Sequence, residues 1–337
     1  MKLSLEQIRE MTTGAVCVNE DENGVRFYRF TEAELEAHAQ RNRRESVDIP
    51  LYMYYTAAGI RLRMRTNSTS LYLRAVCVGM NPAIQNYFSF DVFVNGVLIG
   101  FMDCLDNEGI EDIHEKIFAL GEGVKEVQIH LPHSVAMAVQ ELRLDKGAFA
   151  EPIRPEKRLL CYGDSITQGY SAYRPSRTYP ARVADALQAV CVNKGVGGDR
   201  TFAELLQEED TFAPDYITVA YGANETNYTA EDYASVYRRF ISKLSQKHPQ
   251  ARIFAISPIW RADWERPIPF LIGTHEDMEN VIREQCADLP NVTFLCGWDL
   301  VPHDPDYMRD SRVHPNDEGF DHYASNLIAA IQKELGL

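Results

Sequence analysis

Four short segments hold residue types that could together attack an acyl carbon. The first, Tyr162-Gly163-Asp164-Ser165-Ile166-Thr167-Gln168-Gly169, puts a serine where an apolar run ends. A hydroxyl at such a strand-to-helix turn is exposed, beside N–H donors that favour developing negative charge. Gly163 permits the tight turn. The plainer account is an Asp or Ser cap on the next segment. In the second segment, Asn193-Lys194-Gly195-Val196-Gly197-Gly198-Asp199-Arg200, three glycines let a backbone N–H come close to a substrate, though a flexible loop would look the same. The third, Tyr221-Gly222-Ala223-Asn224-Glu225-Thr226-Asn227, offers the Asn224 amide to an oxyanion, or simply an Asx-turn. The fourth, Asp310-Ser311-Arg312-Val313-His314-Pro315-Asn316-Asp317-Glu318-Gly319, opens the last predicted helix with His314, where an imidazole could take a serine's proton.

The elements that must position these segments change period midway. Residues from about 50 to 145 read as strands. Ile60–Arg65 alternates apolar and basic residues, and Leu71–Val76, Val124–Leu131 and Val139–Leu144 continue the pattern. Phe90–Val94, Asn95-Gly96 and Val97–Ile99 read as a hairpin, because Asn-Gly supplies the positive φ angles of a type I′ turn. Frequent turns between short strands predict an antiparallel β-sandwich. Residues 1–45 look partly helical, with a capping-box start at Thr31. Gly147–Lys157, with two prolines, reads as a linker. Beyond it, strands at Leu159–Tyr162, Val190–Asn193, Tyr216–Tyr221, Arg252–Ser257 and Val292–Cys296 alternate with helices near 177–188, 201–208, 230–246, 276–288 and 317–335. Alternating β and α predicts a parallel sheet with helices on both faces, and a site at the strands' C-terminal ends. The expected domains are 1–150 and 151–337.

Composition narrows the function. Of 337 residues, 34 are Lys or Arg and 49 are Asp or Glu, a formal net charge of −15. Neutralising phosphates needs clustered Lys/Arg. The nearest cluster, Arg41-Asn42-Arg43-Arg44, reads as a solvated loop, so no nucleic-acid partner is expected. No run of about 18 apolar residues exists, so no membrane span is expected. The start of the chain lacks an apolar signal core, and the seven cysteines, an odd number without CxxC, read as buried free thiols; both point to the cytoplasm. His303-Asp304-Pro305-Asp306 reads as a turn rather than a metal site, and Gly195–Gly198 lacks the Lys-Ser/Thr of a phosphate loop. No metal or cofactor is expected.

The four segments, in this order, resemble the SGNH (GDSL) hydrolase family over residues 158–337. The resemblance implies a flavodoxin-like three-layer α/β/α domain. It implies Ser165 as nucleophile, His314 as base, and an oxyanion hole from the Ser165 and Gly198 N–H groups and Asn224. The chain departs from the family twice. The family's Asn-Asp pair is Asn224-Glu225. The family's acid stands three residues before the histidine, where this chain has Ser311, and Asp310 stands four before. Either a bulge lets Asp310 complete a triad, or the site is a Ser–His dyad. The layout, a jelly-roll-like β-sandwich followed by this domain, looks like that of bacterial carbohydrate esterases, which implies deacetylation of a small-molecule or oligosaccharide ester. Asp164, Trp260 and Trp264 are the expected substrate contacts, since Trp faces stack on sugar rings; a core role for each Trp is the alternative. Tyr162, Tyr170 and Tyr173 could also line the pocket, and the loop Gly169–Thr178 is polar and basic. The competing functions are a lipase or thioesterase acting on acyl lipids, and a glycan-binding protein of low activity.

Overall fold

The period-two runs of the first half fold as antiparallel strands in the computed structural model, which describes residues 1–81, 83–84, 87–105, 108–207, 212–265 and 267–337. Helix α1 (Leu5–Met11) leads into β1 (Thr12–Thr13), the hairpin β2 (Cys17–Asp21) and β3 (Gly24–Tyr28), then α2 (Glu32–Glu45). After a 3₁₀ turn at Leu51–Tyr55 come β4 (Arg61–Thr66), β5 (Ser70–Gly79), β6 (Phe88–Val94), β7 (Val97–Cys104), β8 (Ile113–Ala119), β9 (Lys125–His130), β10 (Ala136–Leu144) and β11 (Glu151–Pro152). Two antiparallel sheets result, one in the order β1-β4-β9-β6-β7 with β11 on β4, the other β2-β3-β10-β5-β8. Leu62, Phe90 and Ile129 of the first sheet share one core with Leu73, Phe27 and Leu142 of the second. The β6–β7 turn is the expected one, with Asn95 at φ 48° and Gly96 at 78°.

The second half alternates as expected: β12 (Lys157–Gly163), α3 (Ser165–Gln168), α4 (Tyr179–Ala186), β13 (Ala189–Asn193), β14 (Tyr216–Ala220), α5 (Ala230–Lys247), β15 (Arg252–Ile256), α6 (His275–Cys286), β16 (Val292–Leu295) and α7 (Asp317–Leu335). The strands form a parallel sheet in the order β13-β12-β14-β15-β16, which reverses direction between β12 and β14. Along β12, Leu160 and Tyr162 face α5 and α6, while Leu159 and Cys161 face α4 and α7.

Several expectations need correction. The hairpin β2–β3 was not legible, because β2 is almost wholly solvent-exposed and carries no apolar alternation. The helix expected over 201–208 is a single 3₁₀ turn at Ala203–Leu205, and residue 208 lies outside the described residues. The segment read as a linker is tied down, with Glu151 and Pro152 paired to Arg65 and Met64. Arg41 lies in α2, not in a solvated loop, and is 1% exposed. Cys17 and Cys296 are exposed, against the expectation of burial. Among the described residues, no helix is long and apolar enough to cross a membrane.

Helix α2 starts as the sequence predicts. The Thr31 hydroxyl accepts from the Glu34 N–H at 3.2 Å, and the Glu34 carboxylate accepts from the Thr31 N–H at 2.8 Å. What the sequence does not show is where α2 packs: against the chain that follows β13, with Glu34 at Lys194, Arg41 at Asp199 and His38 on Phe202. Ala37 joins the parallel-sheet core, and Phe30, Ile49 and Met53 pack with Val196.

Candidate active site

Ser165 opens α3 at the end of β12, on one side of the point where the sheet reverses direction. The Asp164 carboxylate accepts from the Ile166 N–H at 3.0 Å, so the cap account of this turn holds alongside any chemical one. Ser165 Oγ lies 2.9 Å from His314 Nε2, and His314 Nδ1 lies 2.7 Å from Asp310 Oδ2. This chain of contacts suits a neutral imidazole that donates from Nδ1 and keeps the Nε2 lone pair for the serine proton.

Ser311 takes a left-handed φ of 53° in the turn between Asp310 and His314. The loop then curls around the carboxylate. Asp310 Oδ1 accepts from the N–H groups of Arg312 (3.0 Å), Val313 (2.7 Å) and His314 (3.1 Å). Partial burial opposes ionisation, but the His314 contact and these N–H donors outweigh it and hold Asp310 well below the usual carboxylate range.

The second and third segments converge beside Ser165. Gly197 donates its N–H to Gln168 Oε1 at 2.7 Å, and Val196 donates to the Gly163 carbonyl at 3.3 Å. Gly198 follows with φ 79°, and its N–H and that of Ser165 have no hydrogen-bond partner among the described residues. Asn224 Nδ2 donates to the Asp199 carbonyl at 2.8 Å, which uses one of its two amide hydrogens. Glu225, the departure from the family's Asp, accepts from the Thr201 N–H at 2.8 Å and hydroxyl at 3.0 Å. It therefore laces the third segment to the second.

Beneath the site lie three buried carboxyl groups. Burial pushes Asp164 and Asp199 each up to about 7, and raises Glu225 as well. Arg41 opposes the shift at Asp199 through an ion pair to Oδ1. Sequence reading missed this contribution from the first half of the chain. Arg29 Nη1 donates to the carbonyls of Asn193 and Gly195, both at 2.8 Å, and Lys194 Nζ reaches Glu34 at 2.6 Å. The only signal was the run Arg41–Arg44, whose first member faces inward on α2. Gln168 was also missed, although it stands inside the first segment.

The expected substrate contacts fare unevenly. Asp164 is 1% exposed and caps its turn. Trp260 is a core residue stacked on His303, its indole N–H given to Glu265. Trp264 packs on Phe270 and His275 and lines a groove with Glu279, Cys296 and Trp298, away from Ser165 and His314. Tyr162 is buried against Phe240. Tyr170 does reach the site, its ring centroid 4.5 Å from that of His314 and its hydroxyl donating to the Ile84 carbonyl at 3.0 Å. Tyr173 is partly exposed and packs against Tyr87 and Arg309. The basic residues of its loop are spent on internal pairs, Arg174 with Asp91 and Asp103, Arg177 with Asp321. Among the described residues, no group of three His, Cys, Asp or Glu is arranged to hold a metal ion.

Comparison with known proteins bears on the family and the fold. Residues 161–322 match the GDSL-like lipase/acylhydrolase family model. A salicylyl-acyltransferase from a tetracycline biosynthetic pathway superposes with TM-score 0.76 at 23% identity, over 95% of this chain and 94% of that one. A Bacteroides ovatus protein named as a GDSL-like lipase gives 0.74 at 19% identity, over 100% and 98%. A family two carbohydrate esterase from Cellvibrio japonicus gives 0.64 at 16% identity, over 99% and 97%. At these identities the structures speak for the fold. No curated protein matches the chain.

Proposed function

We propose that the chain, whose residues 161–322 match the GDSL-like lipase/acylhydrolase family model, removes small acyl groups, acetyl foremost, from carbohydrate hydroxyls. In this reading Ser165 is the nucleophile, His314 the general base, and Asp310 the acid that fixes the imidazole's tautomer and orientation. Ser165 Oγ attacks the ester carbonyl carbon while its proton passes to His314 Nε2. The N–H groups of Ser165 and Gly198 and the free amide hydrogen of Asn224 receive the oxyanion, each donor contributing on the order of 3 kcal/mol. His314 then returns the proton to the departing sugar oxygen, and water repeats the sequence to release the acid.

The observation that carries the reading is the chain of contacts from Ser165 through His314 to Asp310 at the switch point of the sheet. Two neighbours support a small acyl group. A Cβ placed on Gly198 would stand 3.6 Å from Ile49, and one on Gly197 would stand 3.0 Å from the Met53 sulfur. Apolar side chains thus crowd the oxyanion side of the site. The likeness to a carbohydrate esterase supports the sugar, and the partly exposed Tyr173 beside Arg309 offers a ring and a donor for it. We read the two antiparallel sheets as a jelly-roll-like β-sandwich domain over 1–150 that shapes the site of the domain over 151–337.

The test compares p-nitrophenyl acetate with p-nitrophenyl octanoate, then acetylated oligosaccharides. The expected result is acetate preferred by at least about tenfold, since the extra methylenes find no room. Ser165→Ala loses nearly all turnover, and Asp310→Asn loses roughly 10²- to 10⁴-fold in kcat. Preference for octanoate would transfer the protein to the lipid esterases. Near-normal kcat in folded Asp310→Asn would leave a Ser–His dyad. Glycan binding without turnover would make it a binding protein.

A further inference from the structure

Gly198 is an odd choice for an oxyanion donor unless something else stiffens it. Its φ of 79° is open to glycine and costly for most residues, and the nearest side chain to a built Cβ is Ile49 at 3.6 Å. Glycine supplies no stiffness of its own. The residue after it supplies a good deal. The Asp199 N–H donates to the Val196 carbonyl at 3.1 Å, and its own carbonyl accepts from Asn224. Its carboxylate pairs with Arg41 of α2, and both side chains are essentially inaccessible, at 0% and 1% exposure.

A buried ion pair is close to break-even for stability, because desolvation cancels most of the attraction. Stability alone therefore explains this one poorly. No other cation takes its place. His38 lies 3.8 Å from Asp199 Oδ1, but burial holds its pKa well below the ordinary value, so it is neutral. Glu225, Glu45 and Asp164 add repulsion at Asp199.

We propose that α2 is part of the catalytic apparatus: the Arg41–Asp199 pair holds the end of the Val196–Asp199 turn, which the Asp199 N–H closes on the Val196 carbonyl, so that the Gly198 N–H inside that turn and the Asn224 amide are aimed before substrate arrives. Arg41 is a positioning residue, acting through Asp199. The Glu34–Lys194 pair and the Arg29 bonds to the Asn193 and Gly195 carbonyls hold the start of the same loop from the same segment of chain. The proposal rests on the oxyanion-hole reading above. It assigns to the first half of the chain an effect on the chemical step, exerted through the oxyanion donors.

The test uses the full chain and two readouts: kcat and KM for p-nitrophenyl acetate, and the rate at which a fluorophosphonate labels Ser165, which needs no natural substrate. Arg41→Met with Asp199→Asn removes both charges of the pair; Glu45, whose carboxylate lies 3.9 Å from Arg41, is left 25% exposed and so keeps contact with water. The double variant keeps its melting temperature near that of the unmodified chain. Its kcat falls roughly ten- to a hundredfold with KM changed less than about threefold, and labelling slows in parallel, since donor aim matters only as the oxyanion forms. Arg41→Lys, which keeps the charge and loses the planar fork, falls between the two. A folded double variant with kcat and labelling within about twofold of the unmodified chain overturns the proposal, as does a rise in KM that accounts for the whole loss. Should the double variant fail to fold, unchanged kcat in Arg41→Lys overturns it and lowered kcat at constant KM supports it. If Ser165→Ala protein is labelled as fast as the unmodified chain, the nucleophile reading fails, and this proposal with it.

Discussion

At the scale of single residues, one turn decides how the acid meets the histidine. Spacing alone left Asp310 ambiguous, because the family's acid stands three residues before its histidine and this one stands four. Ser311 takes a left-handed φ of 53° in the turn that joins them. Asp164 makes a second point. It serves as a helix cap, yet burial raises its pKa to about 7, well above the value near 3.9 expected in an unfolded chain. The folded state therefore holds more protons than the unfolded one between about pH 4 and 7, and stability from this group falls as pH rises through that window. Asp164→Asn keeps an acceptor for the Ile166 N–H and removes the charge. Its melting temperature is expected to gain on that of the unmodified chain by a few degrees between pH 4 and pH 8. Thermal scans across that range with a constant gap would refute this. Asp199 and Glu225 are present in both proteins, but their charges help to raise Asp164, so the gap reads the loss of that repulsion together with the loss of the Asp164 charge.

At the scale of elements, the site depends on loops brought so close that side chains do not fit between them. A Cβ on Gly195 would stand 2.4 Å from the Gln168 nitrogen and 2.7 Å from the Thr167 carbonyl carbon. These are backbone atoms of α3, so relief means moving the element that carries Ser165. Gly195→Ala is expected to cost about 3 kcal/mol or more and most of the esterase activity. Gly96 is the contrast. It also has positive φ, but no atom lies within 4 Å of its built Cβ, and it sits on a remote hairpin. Gly96→Ala should cost about 1 kcal/mol and leave kcat intact. Urea unfolding and kinetics on the two variants check both; equal activity losses would mean that close packing at Gly195 does not matter to the site.

At the scale of the whole molecule, the two halves share buried charge. Arg29, fully buried, gives hydrogen bonds to Asn193 and Gly195, and also to Thr56 and Met53 in its own half. Removing residues 1–150 would leave Lys194 and Asp199 without Glu34 and Arg41, and would expose the apolar patch around Val196. Breaking buried pairs from one side costs about 3–5 kcal/mol each, comparable with the stability of a domain. The fragment 151–337 is therefore expected to be unfolded or aggregated when expressed alone. A monomeric fragment with full activity on p-nitrophenyl acetate would show that the first half is dispensable.

Sequence alone determined what depends on neighbours along the chain. The change of period, the Asn95-Gly96 turn, the Thr31 cap and the order of β and α elements are set by local sterics and by apolar spacing of two or about 3.6 residues. The four segments with Ser165, Gly198, Asn224 and His314 were legible because three end or follow a strand of that alternation and the fourth precedes its last helix. Tertiary structure decided what depends on distance across the fold. Trp260 and Trp264 went to core and groove packing rather than to the site, because a large ring gains more from burial than periodicity can reveal. Arg41 turned inward because Asp199, 158 residues further along, offers a buried counter-charge that no local pattern announces.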